Sequence, residues 1–210
     1  MSSIKEVLQR RGINGLTHFT RLENLDSILM NGIVPRSYLL DSNTPINGIL
    51  TDSLRLDGKI HASCFSVSFP NYKMFFSYRQ SQGGSWVVIC VYAQILIDKE
   101  DLCEFYPSNA ASNNMTSLNS SQIKGGAALE AMFPSNYTSV KDPLDVQAEV
   151  MISGVVEPKY IGAVIFGDMG LMNKYKMAYP NLASIFHFHQ EGSGFFAQRD
   201  YARSRGFKGL

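Results

Sequence analysis

A single glutamate within an apolar strand pattern is the residue of this sequence best placed to do chemistry. From Asp145 to Ile152, small or β-branched residues alternate with Gln147, Glu149 and Met151, a pattern typical of a strand with two different faces. A carboxylate on such a strand is costly to bury unless it is paired or hydrogen-bonded. Glu149 therefore either faces water or projects into a polar cleft, where it can stabilise positive charge that develops on a substrate.

Three other features carry polar or aromatic groups that a binding cleft would use. His18 lies at the end of the short strand pattern Leu16 to Phe19, just before a helix start, where polar groups gather at the mouth of a cleft. Arg55 lies in a polar stretch, and its permanent charge suits a phosphate. The segment 72–78 is rich in aromatic residues. Taken singly, these features are more typical of a structural histidine, a surface charge and a packed core.

Several known catalytic motifs are absent from the sequence. It contains neither GxxxxGK[ST] nor GxGxxG, the glycine-rich motifs that bind nucleotide phosphates. His187 and His189 lie on one face of a predicted strand and are potential metal ligands. No cysteine or acidic cluster at ligand spacing accompanies them, so we expect no metal. The sequence also marks no Ser or Cys nucleophile with a dedicated His base.

The length of 210 residues predicts one folded domain over residues 1–210, or one domain with a substantial insertion. Hydrophobic residues make up 45% of the chain and charged residues 18%, enough apolar material for a core. The formal charge of +1 argues against indiscriminate nucleic-acid coating but allows a local basic groove. Three cysteines without a CxxC pair fit a reducing compartment. With no secretory signal and no apolar run long enough to span a bilayer, we expect a cytoplasmic protein without a membrane partner.

The elements that must position these residues alternate between strands and helices. Capping boxes at Ser3 to Glu6 and at Thr20 to Glu23 predict two helices, which end at Gly12 and at Asn31-Gly32. The remaining predictions are an irregular stretch 35–60, a strand 61–69, a helix starting near Pro70, a buried strand 86–91, and strands at 161–166 and 185–188. Few helices separate these strands, which favours the α+β class. The long polar segment 106–145 is expected to be functional or disordered.

Five blocks of the sequence carry a family resemblance: Thr17-His18-Phe19-Thr20, Asn24 to Leu29 with Asn31-Gly32, Asp52 with Arg55 to Gly58, Ser66 to Phe76, and Gln147 to Val150 with Glu157 to Ile161. In this order, and over most of residues 15–165, they resemble the DNA ADP-ribosyltransferase toxins of the DarT family. The resemblance implies an ADP-ribosyltransferase fold, in which two packed β-sheets with flanking helices form a cleft for NAD. It also implies that NAD is the co-substrate.

The resemblance also implies roles for individual residues. Glu149 and Arg55 would be catalytic. The NAD-binding residues would be His18, Thr20, Asn24, Arg55, Tyr72 and Phe76. The polar loop 106–145 would meet single-stranded DNA.

The biological role and the target base follow from the same resemblance. The protein would act as a toxin and be held in check by a macrodomain antitoxin that removes the modification. Residues 69–76 differ from the aromatic segment of the thymine-modifying branch, so guanine is favoured over thymine as the target.

Two other functions remain compatible with the sequence. One is an NAD-consuming transferase or glycohydrolase that acts on RNA or protein. The other is a nucleic-acid-binding module without catalytic activity, which would hold single strands by aromatic stacking and a basic groove.

Overall fold

The computed structural model describes residues 2–41, 46, 48–50, 58–134 and 141–209, and these residues fold into an α+β structure. The strands are β1 (Gly15–Arg21), β2 (Ala62–Val67), β3 (Trp86–Tyr92), β4 (Cys103–Tyr106), β5 (Glu149–Ser153), β6 (Ile161–Phe166) and β7 (Phe186–Phe188). The helices are α1 (Ile4–Arg11), α2 (Leu25–Asn31), α3 (Arg36–Leu40), α4 (Tyr72–Gln82), α5 (Ile95–Asp98), α6 (Asn113–Thr116), α7 (Ser120–Ile123), α8 (Gly125–Ala131), α9 (Met169–Ala178) and α10 (Arg199–Ser204). In the described part of the chain, every helix lacks the length and apolar character that a membrane span requires.

The described strands form one sheet in the order β4-β5-β2-β1-β3-β6-β7. All neighbours are antiparallel except β6 and β7, which run parallel. The predicted buried strand is confirmed as β3, which lies between β1 and β6 in this order. Its odd-numbered residues, such as Val87 and Ile89, face one apolar cluster, and its even-numbered residues, such as Val88, face another. Because both faces of β3 are covered, its sequence shows no polar alternation.

The sheet nearly divides between β1 and β2. β1 pairs with β3 along its whole length, from Gly15 to Arg21, but with β2 at two residue pairs only, Leu16 with Val67 and Thr17 with Ser66. The earlier residues of β2 pair instead with β5. The two expected sheets therefore correspond to β4-β5-β2 and β1-β3-β6-β7, which the short β1–β2 pairing joins into one sheet. Beyond it, β1 and β2 part and leave a cleft.

Of the two predicted helix capping boxes near the N-terminus, the structure confirms the first and contradicts the second. Ser3 and Glu6 form the predicted capping box of α1. The second capping box is wrong, because Thr20 belongs to β1 and its hydroxyl accepts a hydrogen bond from Asn24 Nδ2 at 2.9 Å. A 3₁₀ turn (Leu22–Asn24) then leads into α2, which ends at Asn31 as predicted.

Two stretches contain more helix than the sequence predicts. Residues 36–40 form α3 within the stretch expected to be irregular. The described part of the polar segment 106–145 contains α6, α7 and α8. Helix α8 is tied to α1 by Glu130, which binds Arg10 and Arg11, and Arg11 lowers the pKa of that carboxyl.

The strand that carries Glu149 is shorter than predicted. It begins at Glu149 instead of near Asp145. The Asp145 carboxylate accepts hydrogen bonds from the Gln147 amide at 2.9 Å and the Ser108 hydroxyl at 2.6 Å. This local bonding stabilises a turn in place of an extended strand.

Substitution of Gly32 by alanine should destabilise the fold much more than the same change at Gly12. Both glycines follow a helix and have positive φ angles, 84° and 62°. A Cβ at Gly32 would lie 2.2 Å from the Val156 carbonyl oxygen, whereas a Cβ at Gly12 would meet no atom within 4 Å. We expect Gly12→Ala to cost about 1 kcal/mol for its left-handed backbone. Gly32→Ala should cost a further ~1–3 kcal/mol from the clash.

Equilibrium urea unfolding of both variants measures this difference. Equal costs at the two positions would contradict the close approach of Gly32 to Val156.

Candidate active site

A cavity of about 360 Å³ fills the cleft between the parting strands β1 and β2. Its walls come from residues 17–20 of β1 and 62–66 of β2, together with parts of α2, α3 and α4. Segments 48–50 and 109–111 and the first residue of β5 complete the lining. The size and concave shape suit a small-molecule ligand.

Glu149 lies in the cleft and not in bulk water. Its residue is 7% exposed, and its Oε2 accepts a hydrogen bond from the Ala110 amide at 3.1 Å. The alternation predicted for this strand is confirmed on both faces: Val150 and Ile152 pack in the main core, while Glu149 lines the cavity. Within the described cavity wall, Glu149 supplies the acidic side chain and Arg36 the arginine. These are the charges that a charged substrate would meet.

His18 lies in the middle of β1, not at the predicted strand-to-helix turn. Its Nδ1 is 2.8 Å from the Cys64 carbonyl oxygen, and its ring contacts Phe65 at a centroid distance of 5.4 Å. Since a carbonyl only accepts, Nδ1 carries the proton in this contact. In the neutral ring Nε2 is then an acceptor, which suits a ligand hydroxyl. The ring N–H at Nδ1 is therefore directed to the protein and not to the cavity.

Asn24 holds one wall of the cavity in place. Its amide donates to Thr20 Oγ1 and to the Ile49 carbonyl, both at 2.9 Å, and accepts from the Ile49 amide at 2.6 Å. Asn24 and Thr20 are both buried, and both line the cavity. These bonds fasten segment 48–50 to β1 and α2. Asn24 therefore shapes the cavity, and its polar atoms are committed to protein partners.

Tyr72 and Phe76 are not among the cavity-lining residues. Tyr72 packs against the apolar cluster around Phe75, and its hydroxyl accepts from Gln198 Nε2 at 3.3 Å. Phe76 is 55% exposed. The same helix presents Met74 and Tyr78 to the cavity. Residues two apart in a helix point to nearly opposite sides. Helix α4 can therefore present either Tyr72 and Phe76 or Met74 and Tyr78 to the cavity, but not both pairs.

Arg55, the predicted catalytic arginine, lies outside the described residues.

The structure also shows cavity residues that the sequence did not single out. Arg36, in α3, lines the cavity and carries a permanent charge that suits a phosphate. Asn71, Met74 and Tyr78 recur at intervals of three and four residues. That helical spacing, and the Pro35-Arg36 helix start, are the signals that could have identified them.

Cys64 lines the cavity, whereas His187, His189, Cys90 and Cys103 are not among its lining residues. His187 is exposed, while His189 is half-buried and its Nδ1 accepts from the Phe195 amide at 3.3 Å. Burial lowers the pKa of His189. Among the described residues no three His, Cys, Asp or Glu side chains converge as a metal site. Burial raises the pKa of Cys103 to about 12 and that of Cys90 also upward, so both remain thiols at neutral pH.

Residues 17–187 match the family model described as ssDNA thymidine ADP-ribosyltransferase, DarT. No curated protein matches the chain significantly. Among solved structures, Thermus sp. 2.9 DarT in complex with NAD+ is similar, with 13% identity and a TM-score of 0.56 over 84% of this chain and 96% of that one. The same protein in complex with ADP-ribosylated ssDNA gives 12% identity and 0.58 over 85% and 95%.

Thermosipho africanus DarTG in complex with ADP-ribose gives 15% identity and a TM-score of 0.55 over 85% of this chain. The chain spans about half of that protein, since the match covers 50% of it. At these identities the structural matches establish a shared fold.

Replacement of Asn24 by alanine should loosen the cavity wall. The change removes the three hydrogen bonds that tie Thr20 and Ile49 together, and we expect it to cost about 2–3 kcal/mol. Hydrogen exchange at the Ile49 amide should accelerate in the variant. Asn31→Ala is the matched control, because Asn31 is exposed at the end of the same helix and bonds only weakly to Ser27, at 3.3 Å.

The control should change stability by less than ~0.5 kcal/mol. Unfolding curves and amide exchange rates, measured on both variants, test whether Asn24 stabilises the cavity wall. Unchanged exchange at Ile49 in Asn24→Ala would contradict the role of Asn24 as the fastening residue.

Proposed function

We propose that this chain, which belongs to the DarT family of ssDNA ADP-ribosyltransferases, transfers ADP-ribose from NAD to a base of single-stranded DNA in the cleft between β1 and β2. The observation that carries this proposal is the buried Glu149 carboxylate, which lines a cavity that His18 and Arg36 also line. The NAD+ and ADP-ribosylated ssDNA bound to Thermus sp. 2.9 DarT support it.

The proposed reaction exchanges one bond at the ribose C1′. The bond to the nicotinamide nitrogen breaks, and nicotinamide leaves with the electron pair. A base atom then forms the new bond to C1′ and loses its proton to solvent or to a nearby acceptor. The ribose resembles an oxocarbenium ion in the transition state, so a fixed carboxylate stabilises it more than it stabilises the ground state.

Glu149 is proposed as the residue that stabilises this charge. A hydrogen bond from a ribose hydroxyl to the carboxylate contributes roughly 1.5–3 kcal/mol. Its bond from the Ala110 amide fixes the orientation of the carboxylate before substrate binds. His18 Nε2 would accept from a ribose hydroxyl, and Arg36 would pair with the pyrophosphate. Arg55 stays a prediction as second catalytic residue and NAD contact.

Segment 106–145 is proposed to meet the DNA. Asn109 and Ala111 of this segment line the cavity, and its next helices, α6 and α7, carry mostly polar, exposed side chains. The family description names thymidine as the target. The departure of residues 69–76 from the thymine-modifying pattern supports guanine, which we propose for this chain. The enzyme would act in the cytoplasm, where its unpaired cysteines stay reduced.

A toxin role with a macrodomain antitoxin completes the proposal. The DarTG name of the Thermosipho africanus protein supports an antitoxin partner. Such a partner would remove ADP-ribose from the modified base.

Incubation with labelled NAD, with and without oligonucleotides of single-base composition, tests the function. Label on single-stranded DNA supports transfer, and the composition of the labelled strand identifies the base. Free ADP-ribose, or label on RNA or protein, would favour the other NAD-consuming activities. Absence of NAD turnover would contradict the enzyme proposal and favour a binding module.

Replacement of His18 by alanine should weaken NAD binding selectively. The variant loses the ring nitrogen that faces the ribose, so the apparent KM for NAD should rise by about tenfold, the value of one lost hydrogen bond. Oligonucleotide affinity should change much less. His61→Ala is the control, because His61 is exposed and does not line the cavity. Equal loss of NAD and oligonucleotide binding would instead assign His18 a purely structural role.

Replacement of Glu149 by glutamine should abolish most of the transfer while the fold remains. Glutamine keeps the shape and can still accept from Ala110, but it removes the negative charge. Loss of a positioned catalytic group lowers the rate by about 10²–10⁴. Transfer rate, NAD affinity and melting temperature are measured on the same variant.

Glu104→Gln is the matched control for this experiment. Glu104 lies on the neighbouring strand β4, binds Lys59 and Tyr106, and does not line the cavity. Its replacement should leave the transfer rate nearly unchanged. Activity of Glu149→Gln within a few-fold of the parent would overturn the catalytic assignment.

A further inference from the structure

We infer that Asn71 binds the carboxamide oxygen of the nicotinamide leaving group, an assignment that rests on the proposed function. Asn71 is the N-cap residue of α4 and lines the cavity. It is 2% exposed, so its polar atoms are shielded from bulk water. Polar groups buried this deeply are almost always hydrogen-bonded in folded proteins.

The hydrogen bonds of Asn71 fix the orientation of its amide. Its Oδ1 accepts from the Met74 amide at 3.2 Å, which caps the first turn of the helix. Its own backbone amide donates to Ser66 Oγ at 3.2 Å. A flipped side chain would set an NH₂ group against the Met74 N–H, so the cap requires Oδ1 on the helix side. The NH₂ group must therefore point away from α4.

This NH₂ group has no acceptor among the described residues. Nδ2 of Asn71 is buried, and no protein atom in that part of the chain accepts a hydrogen bond from it. A buried donor without a partner costs about 1–3 kcal/mol. A ligand oxygen in the adjoining cavity would remove this cost. The ligand group must be an acceptor, since Nδ2 can only donate.

The sheet register places this donor beside the proposed reaction centre. Strands β2 and β5 pair antiparallel, with Phe65 opposite Val150. Side chains alternate along a strand, so Ser66 and Glu149, the neighbours of this pair, both project from the opposite face, and both line the cavity. Asn71 is bonded to Ser66, so it lies close to the Glu149 side of the cavity. The nicotinamide is joined directly to the ribose that Glu149 would stabilise, so it must occupy this neighbourhood.

The walls next to Asn71 suit a flat heteroaromatic ring. Met74 and Tyr78 follow it along α4, and Phe19 approaches Tyr78 from β1 with ring centroids 6.3 Å apart. All three line the cavity and present apolar or aromatic surface. The cationic Arg36 lies on a different element, α3, and suits the pyrophosphate instead. Nicotinamide combines a flat ring with one neutral carbonyl acceptor, as this end of the cavity requires.

Two substitutions separate this role from helix capping. Asp and Ser are as effective as Asn at an N-cap, so Asn71→Asp and Asn71→Ser keep the Met74 cap but lack the amide donor. Binding of NAD, and its displacement by free nicotinamide or by ADP-ribose, is measured without oligonucleotide. We expect about tenfold weaker competition by nicotinamide in both variants. ADP-ribose should compete within about twofold of the parent, because it lacks the carboxamide.

Asn71→Ala serves as the third variant and removes the cap as well as the donor. It should lower the melting temperature, whereas the Asp and Ser variants should melt near the parent. Nicotinamide competition unchanged in Asn71→Asp and Asn71→Ser would overturn the inference. Equal weakening of nicotinamide and ADP-ribose would also overturn it, as would a parent protein that nicotinamide fails to displace from NAD.

The outcome is independent of the proposed DNA target. If the parent binds NAD but labels no oligonucleotide, the proposed function fails while the nicotinamide assignment can still hold. If the parent labels DNA but the Asn71 variants bind nicotinamide normally, the assignment alone fails.

Discussion

The short contact between β1 and β2 is the constraint on which the site depends. The strands share two residue pairs and then follow different neighbours, β1 with β3 and β2 with β5. Backbone groups of strands that part in this way must find other partners. His18 Nδ1 meets one of them, the Cys64 carbonyl, across the opening. The ring therefore bridges the gap and faces the cavity at the same time, so the cleft and its histidine arise from one feature.

The position of Glu149 depends on contacts made far away along the chain. The stretch before β5 is fastened to the C-terminal helix α10. Arg203 pairs with Asp142, and Arg199 donates to the Pro143 carbonyl at 2.7 Å. Arg199 and Asp142 are both buried, and leaving such a buried polar group without its hydrogen-bond partner costs about 1–3 kcal/mol. The basic residues near the C-terminus thus serve in part to hold the strand that carries the carboxylate.

The buried asparagines of the cavity wall show how structural and ligand-directed groups differ. The Asn24 amide nitrogen donates to Thr20 Oγ1 and to the Ile49 carbonyl, and its oxygen accepts from the Ile49 amide. The Asn71 amide uses its oxygen on α4, while its nitrogen lacks a partner among the described residues. Both residues look alike in sequence, where each precedes a helix. The two residues differ in how many of their side-chain polar atoms have a hydrogen-bond partner in the protein. An amide with all partners supplied stabilises the wall, whereas an amide with an unpartnered nitrogen can donate to a ligand.

The sequence by itself determined the central buried strand, the limits of α1 and the C-terminal end of α2, because these follow from local periodicity and capping. For Glu149 it left two environments open, water or a polar cleft, and the tertiary structure placed the residue in the cleft. The alternation around Val150 and the apolar run of β3 are local signals. β3 formed where it was predicted, whereas β5 begins at Glu149 instead of near Asp145. Which side of α4 faces the cavity was decided by tertiary packing. Phe75 is in the core of an apolar cluster against which Tyr72 and Tyr78 both pack, and of these helix residues Tyr78, together with Met74, also lines the cleft. Likewise, the parting of β1 and β2 depends on pairing between segments about fifty residues apart, and no local pattern encodes such a contact.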